Sequence, residues 1–100
     1  MLLYNQTLIL EEDAAAAWMQ WMQEEHMPKI MSTGLFVSNR LLRVLDSPNE
    51  GITFCAQYVA ETPADYETYQ TIHAPALQHE LNTRFKDKFV AFSTLMEYIP

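Results

Sequence analysis

The amino-acid sequence predicts a single α+β domain, and three observations lead to this prediction. One hundred residues suit one folded domain rather than two, so we expect residues 1–100 to form one unit. Four segments are rich in apolar, β-branched and aromatic residues, as strands are, and two segments between them are rich in helix formers. Hydrophobic residues make up 49% of the chain, which excludes intrinsic disorder and leaves enough apolar surface for a core.

The first half of the chain begins with a predicted strand that leads into a helix. Leu2–Leu10 is an apolar run around the polar residues Asn5–Thr7, which indicates a strand. Glu11–Asp13 places three acids where a helix begins, with Asp13 or a neighbour as the N-cap. Ala14–His26 is rich in helix formers, and its apolar residues recur at helical spacing, which predicts the first helix.

The first helix is expected to stop or kink near His26. Pro28 disfavours helical geometry at the residue before it, which is Met27. Lys29–Thr33 is predicted to add one short turn, and Gly34 to end it.

The middle of the chain predicts a β-hairpin. Leu35–Leu45 and Ile52–Ala60 have the composition of strands, and Asp46–Gly51 between them consists of turn residues. A connection of this length joins neighbouring antiparallel strands, so the second and third strands are expected to pair.

The second helix is predicted to begin with a capping box and to contain a second proline interruption. Thr62 is the expected cap, Pro63 takes the first helical position, and Asp65 lies three residues after the cap. The helix is expected to reach about Leu81, with an interruption at Pro75 like that of the first helix.

A final strand completes the predicted order. Phe89–Ile99 follows Arg84, Lys86 and Lys88, whose charges suit the approach to an edge strand because they discourage further strand addition. The order is therefore β-α-β-β-α-β. This order predicts a ferredoxin-like fold, in which a four-stranded antiparallel sheet carries both helices on one face.

Charge, glycine content and cysteine content exclude several functional classes. Thirteen Asp and Glu against six Lys and Arg give a net charge of −7, so we expect neither a nucleic-acid partner nor a membrane partner. Gly34 and Gly51 are too far apart for a phosphate-binding loop, and no cofactor is expected. Cys55 is the only cysteine, and Met1–Leu10 lacks the features of a signal peptide. Both observations lead us to expect a cytoplasmic protein.

The strands are apolar on both faces, which predicts a homodimer. In the last strand one face carries Phe89, Ala91 and Leu95, and the other carries Val90, Phe92 and Met96. Two helices cover only one face of the sheet, so the other face needs another cover. A second copy of the same sheet is the simplest cover, because most soluble oligomers are twofold dimers.

Ionisable residues interrupt the apolar face of each predicted helix. On the first helix, Trp18 and Trp21 share one face. At about 100° per residue, Glu25 falls near the middle of that face and His26 at its rim. On the second helix, the sheet-facing stripe carries Tyr66, Tyr69 and His73.

We interpret these residues as a cleft between helices and sheet that binds a small organic molecule. His26 and His73 would carry protons near neutral pH, and the aromatic residues would form walls. Glu25 and Arg40 are further candidates for contact with the ligand. Alternatively, each histidine ends its helix by bonding free carbonyls and interacting with the helix dipole. No His-x-x-x-His spacing is present, so no metal site is expected.

The two halves of the chain repeat one pattern, and this pattern is part of a resemblance to a known family. Each half carries an aromatic pair, a His-x-Pro element and an apolar residue. The motifs are Trp18-x-x-Trp21-Met22, His26-x-Pro28, Thr33-Gly34-x-Phe36, Arg40-Leu41-x-Arg43, Tyr66-x-x-Tyr69, His73-Ala74-Pro75 and Phe89-Val90-Ala91-Phe92. With these motifs the chain resembles a bacterial family of domains of unknown function (number 4286). The resemblance implies a ferredoxin-like dimeric α/β barrel and implies no activity.

The wider group of dimeric α/β barrels adds two site candidates. It includes cofactor-free monooxygenases, small isomerases and haem-degrading enzymes. The last of these use an Asn on the first strand, a His on the second helix and a Trp on the third strand. Asn5 and His73 lie at comparable places, but Gln57–Ala60 contains no Trp, so the chain departs from the haem-degrading pattern at the third position.

Three functions therefore remain open at this point. The first is a small-ligand protein that acts, if it is an enzyme, without a cofactor. The second is a non-catalytic dimer with a structural or regulatory role. The third is haem or metal binding through His73.

Overall fold

The computed structural model describes residues 1–100 and confirms the predicted fold. Four strands form one antiparallel sheet in the order β2-β3-β1-β4. They are β1 (Leu2–Leu10), β2 (Ser38–Arg43), β3 (Ile52–Ala60) and β4 (Phe89–Glu97). Two helices pack on one face of this sheet, which is the ferredoxin-like arrangement.

Each helix consists of three consecutive parts, with a π-helical turn in the middle. The first helix, residues 12–31, comprises α-helix Glu12–Trp21, π-helix Met22–His26 and α-helix Met27–Met31. The second helix, residues 63–84, comprises α-helix Pro63–Thr68, π-helix Tyr69–His73 and α-helix Ala74–Arg84. Neither helix combines the length and apolar composition that crossing a membrane requires.

The π-helical turns explain how both helices pass a proline. A proline has no backbone N–H, and in a regular α-helix its ring collides with the carbonyl four residues earlier. In the first helix, the N–H of Met27 donates instead to the carbonyl of Met22, five residues earlier. In the second helix, Ala74 donates to Tyr69 in the same way. The wider turn accommodates the ring, so the first helix continues through His26 to Met31 rather than stopping there.

The helix ends agree with the sequence, and the structure identifies the one cap that the sequence left open. The Thr62 hydroxyl accepts a hydrogen bond of 3.2 Å from the Asp65 N–H, as the capping box predicts. Gly34 follows the first helix with φ +76°, a left-handed conformation that favours glycine. Of the expected caps of the first helix, Asp13 or a neighbour, the structure has the neighbour. Glu11 is the N-cap and makes no side-chain cap, while Asp13 lies in the first turn and pairs with Lys88 at 3.0 Å.

Two strands are shorter than the sequence predicts. β2 begins at Ser38 rather than Leu35, because Phe36 turns into the core, where it stacks on Tyr4 with ring centroids 6.4 Å apart. β4 ends at Glu97, and Ile99 beyond it is exposed.

The core lies between the helix-bearing face of the sheet and the helices. β1 contributes Leu2, Tyr4, Leu8 and Leu10, and β3 contributes Phe54, Ala56, Tyr58 and Ala60. Trp18 of the first helix is fully buried against Phe54, with ring centroids 4.8 Å apart. Burial of each large side chain of this kind contributes about 1.5–3 kcal/mol.

The opposite side of the sheet, here called the helix-free face, carries the alternate residues of the four strands. The strand register places Arg40, Gln57, Asn5 and Thr94 side by side in one polar row across this face. Apolar side chains flank the row, and on β4 Val90 and Phe92 are 63% and 59% exposed. The helix-free face is thus an apolar surface crossed by one polar row.

Candidate functional site

A cavity of about 320 Å³ lies between the second helix and the sheet. Its lining includes Tyr4, Gln6, His26, Tyr69, Gln70, Leu77, Gln78 and Ser93. β1, β4 and both helices therefore contribute to one site. A buried His and several amide groups converge in it, which is the pattern of a small-molecule site.

His26 is the last residue of the first π-helical turn, and its side chain lines this cavity. The side chain is 3% exposed and stacks on Trp21, with ring centroids 4.5 Å apart and an interplanar angle of 28°. Its Nδ1 atom is buried and has no hydrogen-bond partner. A buried polar atom without a partner costs about 1–3 kcal/mol, so this nitrogen needs an explanation.

Burial keeps His26 uncharged at neutral pH. Desolvation lowers the pKa of the imidazole to about 4, while the nearby Glu80 carboxylate raises it and the Lys29 ammonium lowers it. Glu80 and Lys29 pair with each other at 3.1 Å, and their effects on the pKa of His26 oppose each other, with that of Glu80 the larger. A neutral imidazole has one donor nitrogen and one acceptor nitrogen to offer a ligand.

Two tyrosines and a glutamine pair complete the polar lining. The rings of Tyr4 and Tyr69 lie 6.2 Å apart at an angle of 52°. Burial raises the pKa of Tyr69, and the neighbouring Tyr4 and Tyr66 raise it further, so its phenol stays protonated. Gln6 Nε2 donates to Gln78 Oε1 at 3.1 Å, which links β1 to the second helix across the cavity.

The structure places the other predicted residues of the first helix outside the cavity. Trp18 and Trp21 are core residues, and Trp21 stacks on the ring of His26 instead of forming a wall of the cavity. Glu25 was expected in the middle of the apolar face, but it is exposed and pairs with Arg84 at 3.8 Å. The reason is the π-helical turn, which adds a residue to the turn and rotates the residues that follow.

On the second helix, only Tyr69 of the predicted residues lines the cavity. His73 is half-buried and stacks on Tyr69 at a centroid distance of 6.4 Å, outside the cavity lining. Tyr66 packs edge-on against Tyr4, with centroids 5.5 Å apart. No group of three or more His, Cys, Asp or Glu side chains is placed to hold a metal ion.

Asn5 and Arg40 lie on the helix-free face, away from His26. The register of β1 alternates strictly, so Tyr4 and Gln6 face the helices and Asn5 faces the other way. Asn5 Oδ1 accepts a hydrogen bond of 3.1 Å from Gln57 Nε2, and Arg40 pairs with Gln57 in the strand register. The sheet thus separates Asn5 from the histidines with which it was grouped.

Sequence reasoning missed the residues that the sheet contributes to the cavity. Tyr4, Gln6 and Ser93 belong to β1 and β4, and Gln78 lies on the second helix. One signal was available, because Gln6 has the same parity as Tyr4 and Leu8 and is therefore a polar residue on the buried face.

A larger cavity of about 660 Å³ lies at the other end of the sheet. Glu11, Glu12, Glu50 and Asp87 line it, and its single cation, Lys88, is already bonded to Glu11 at 3.3 Å. It contains no buried polar side chain without a partner. We therefore regard the cavity at His26 as the candidate site.

Comparison with known proteins identifies the family and the fold. Residues 1–99 match the family model described as Domain of unknown function (DUF4286), and the chain belongs to that family. No curated protein matches the chain.

Solved structures share the fold at low sequence identity. A dimeric ferredoxin-like protein from an uncultured marine organism has a TM-score of 0.80 at 9% identity, covering 99% of this chain and 95% of its own. An antibiotic biosynthesis monooxygenase has a TM-score of 0.71 at 16% identity, with 100% of both chains covered. A mutant of SnoaB, a cofactor-independent oxygenase from Streptomyces nogalater, has a TM-score of 0.70 at 13% identity, covering 97% of this chain and 91% of its own.

Proposed function

We propose that this protein binds a small organic molecule in the cavity between the second helix and the sheet, with His26 as the central hydrogen-bonding group. One observation carries the proposal: His26 is 3% exposed, lines a cavity of about 320 Å³ and has a buried nitrogen without a partner. A ligand that fills this cavity and reaches Nδ1 would supply the missing interaction of the imidazole. The volume lies at the lower end of the range of small-molecule sites.

A reaction without a cofactor is the catalytic form of this proposal. The likeness to SnoaB, a cofactor-independent oxygenase, supports it at the level of the fold. In such a reaction His26 is in the protonation state that accepts a proton from the ligand, since burial keeps its pKa near 4. The low pKa makes it a weak base, which favours a role in binding and orienting the ligand.

A screen of small neutral aromatic fragments, followed by NMR of the full chain, tests the proposal. We expect fragments that bind to shift the signals of His26 and Tyr69, and His26→Gln to weaken binding about tenfold or more. His79→Gln is the matched control, because His79 is exposed on the same helix as the cavity wall. Binding that is equal in His26→Gln and wild type contradicts the proposal. His73→Gln separately tests whether both histidines act.

We also propose that two copies of the chain pair through the helix-free face. The exposed apolar residues Val90, Phe92 and Met96 on this face support the proposal, and so does the likeness to a protein described as dimeric. The polar row at Arg40 and Asn5 would then lie inside the interface. The alternative function, a non-catalytic dimeric module, requires the same pairing.

Sedimentation of two matched variants tests the pairing. Phe92→Asp places a charge on the helix-free face and is expected to yield monomers at micromolar concentration. Ile72→Asp changes a similarly exposed apolar residue on the second helix, 66% exposed against 59% for Phe92, and should leave the dimer intact. A wild-type chain that sediments as a monomer at micromolar concentration overturns the proposal.

A further inference from the structure

We propose that the cavity at His26 selects uncharged hydrogen-bonding ligands and rejects their carboxylate or ammonium counterparts. This inference rests on the proposed function and specifies the chemical class that the site takes. The charges, the hydrogen bonds and the burial around the cavity support it.

The cavity lining contains no fixed charge. Its polar side chains are tyrosine, glutamine, serine and the neutral His26, and no Asp, Glu, Lys or Arg lines it. The charged residues that affect the pKa of His26 are Glu80 and Lys29, and these two already form an ion pair with each other. A charged ligand would therefore meet no opposite charge in the lining, and only neutral hydrogen-bonding groups would offset its lost hydration.

The hydrogen bonds within the lining leave one acceptor group free for a ligand. Gln6 Nε2 donates to Gln78 Oε1, and Gln78 Nε2 donates onward to Asn82 Oδ1, each at 3.1 Å. The Gln6 carbonyl oxygen accepts no hydrogen bond from another side chain, so it is free to accept one from a ligand. A hydroxyl or an amide N–H on the ligand meets this requirement, and a carboxylate does not.

His26 does not supply the missing positive charge at neutral pH. With a pKa of about 4, the imidazole is protonated in only about one molecule in a thousand at pH 7. A carboxylate that required the protonated form would therefore bind up to about a thousandfold more weakly than a neutral ligand of the same shape.

Three compounds that share a naphthalene ring and differ in their polar substituent test this selection on the full chain at pH 7. The probes are 2-naphthol, 2-naphthoate and 2-naphthylmethylammonium, and NMR titration of the His26 and Tyr69 signals gives each Kd. We expect 2-naphthol to bind at least about thirtyfold more tightly than either charged compound. Equal binding of 2-naphthoate overturns the selection and leaves the binding site intact. Binding of none of the three at millimolar concentration overturns both this inference and the proposed function.

Two glutamine variants test whether the charge of the cavity lining controls this selection. Gln70 and Gln23 occupy the same position, the second residue, of the two π-helical turns, but only Gln70 lines the cavity. Gln70→Lys adds a cation to the lining, and we expect 2-naphthoate to bind at least about tenfold more tightly to it than to wild type. Gln23→Lys adds the same charge outside the cavity and should leave the affinity unchanged. An equal gain in both variants would mean that net charge alone controls binding and would overturn the inference.

Discussion

The two halves of this chain contain the same local motif in different surroundings. Each half has a strand, a helix with a five-residue π-helical turn that ends in a histidine, a proline two residues later, and a second strand. In the first half His26 is 3% exposed and stacks on Trp21 at 4.5 Å. In the second half His73 is half-buried and lies 6.4 Å from Tyr69.

The difference shows that the local motif determines the backbone conformation of each helix. The tertiary contacts determine how far each histidine is buried. The proline accounts for the π-helical turn in both halves, so both histidines end a turn of the same kind. Only His26 points between its own helix and the second helix, where burial keeps it neutral and leaves Nδ1 without a partner. The packing of each half, rather than the motif, therefore decides which histidine can serve a site.

The largest expected difference between the halves concerns the aromatic residues. Trp21→Ala should lower the free energy of unfolding by about 3–5 kcal/mol, because Trp21 is 3% exposed and packs on both His26 and Phe85. Tyr66→Ala, which removes a half-buried ring from the second helix, should cost less than half as much. Urea unfolding at pH 7 measures both values. Equal losses would show that the two helices are packed alike.

The next difference is the dependence of stability on pH. His26 has a pKa of about 4 in the folded chain and about 6.5 when unfolded, so the unfolded state binds more protons between these values. The stabilising contribution is complete above pH 6.5 and is lost as the pH falls towards 4. The loss amounts to about 3 kcal/mol.

Comparison with His26→Gln isolates this contribution from that of the carboxylates. Between pH 7 and pH 4, wild type should lose about 3 kcal/mol more than His26→Gln, as measured by urea unfolding at each pH. Parallel curves for the two proteins would mean that His26 titrates alike in the folded and unfolded states.

The smallest expected difference concerns the starts of the two helices. Thr62→Ala removes a capping hydrogen bond of 3.2 Å and should cost about 1 kcal/mol. Glu11→Ala removes no cap, because the Glu11 side chain makes none, and it weakens only an exposed ion pair with Lys88. Thermal unfolding should therefore show a drop of several degrees for Thr62→Ala and a much smaller one for Glu11→Ala. A larger drop for Glu11→Ala would contradict the assigned caps.

Much of the fold follows from local sequence signals. β1 and β3 begin and end where the apolar runs do, and the Thr62 cap follows from the spacing of Thr62, Pro63 and Asp65. The order of the elements then selects the sheet topology, since few other arrangements satisfy short connections. The start of β2 differs from the prediction because Phe36 is buried against Tyr4. This contact joins residues far apart in the chain, so the local sequence pattern does not reveal it.

The candidate site follows from the sequence only in part. His26 and Tyr69 stand out in the sequence because ionisable or polar groups on an apolar face are unusual, and the structure places both at the cavity. The position expected for Glu25 is wrong because a constant rotation of 100° per residue does not hold through a π-helical turn. Gln6 and Ser93 reach the cavity through the pairing of β1 with β4, a long-range contact that spacing along the chain does not reveal.

The most direct test of the candidate site is an NMR titration of the imidazole of His26 in the full chain, with the signal assigned by its absence in His26→Gln. We expect His26 to remain neutral from pH 8 down to about pH 5 and to become protonated only as the pH approaches 4. Protonation near pH 6.5, the value of an exposed histidine, would contradict a buried neutral imidazole at the cavity and with it the proposed site.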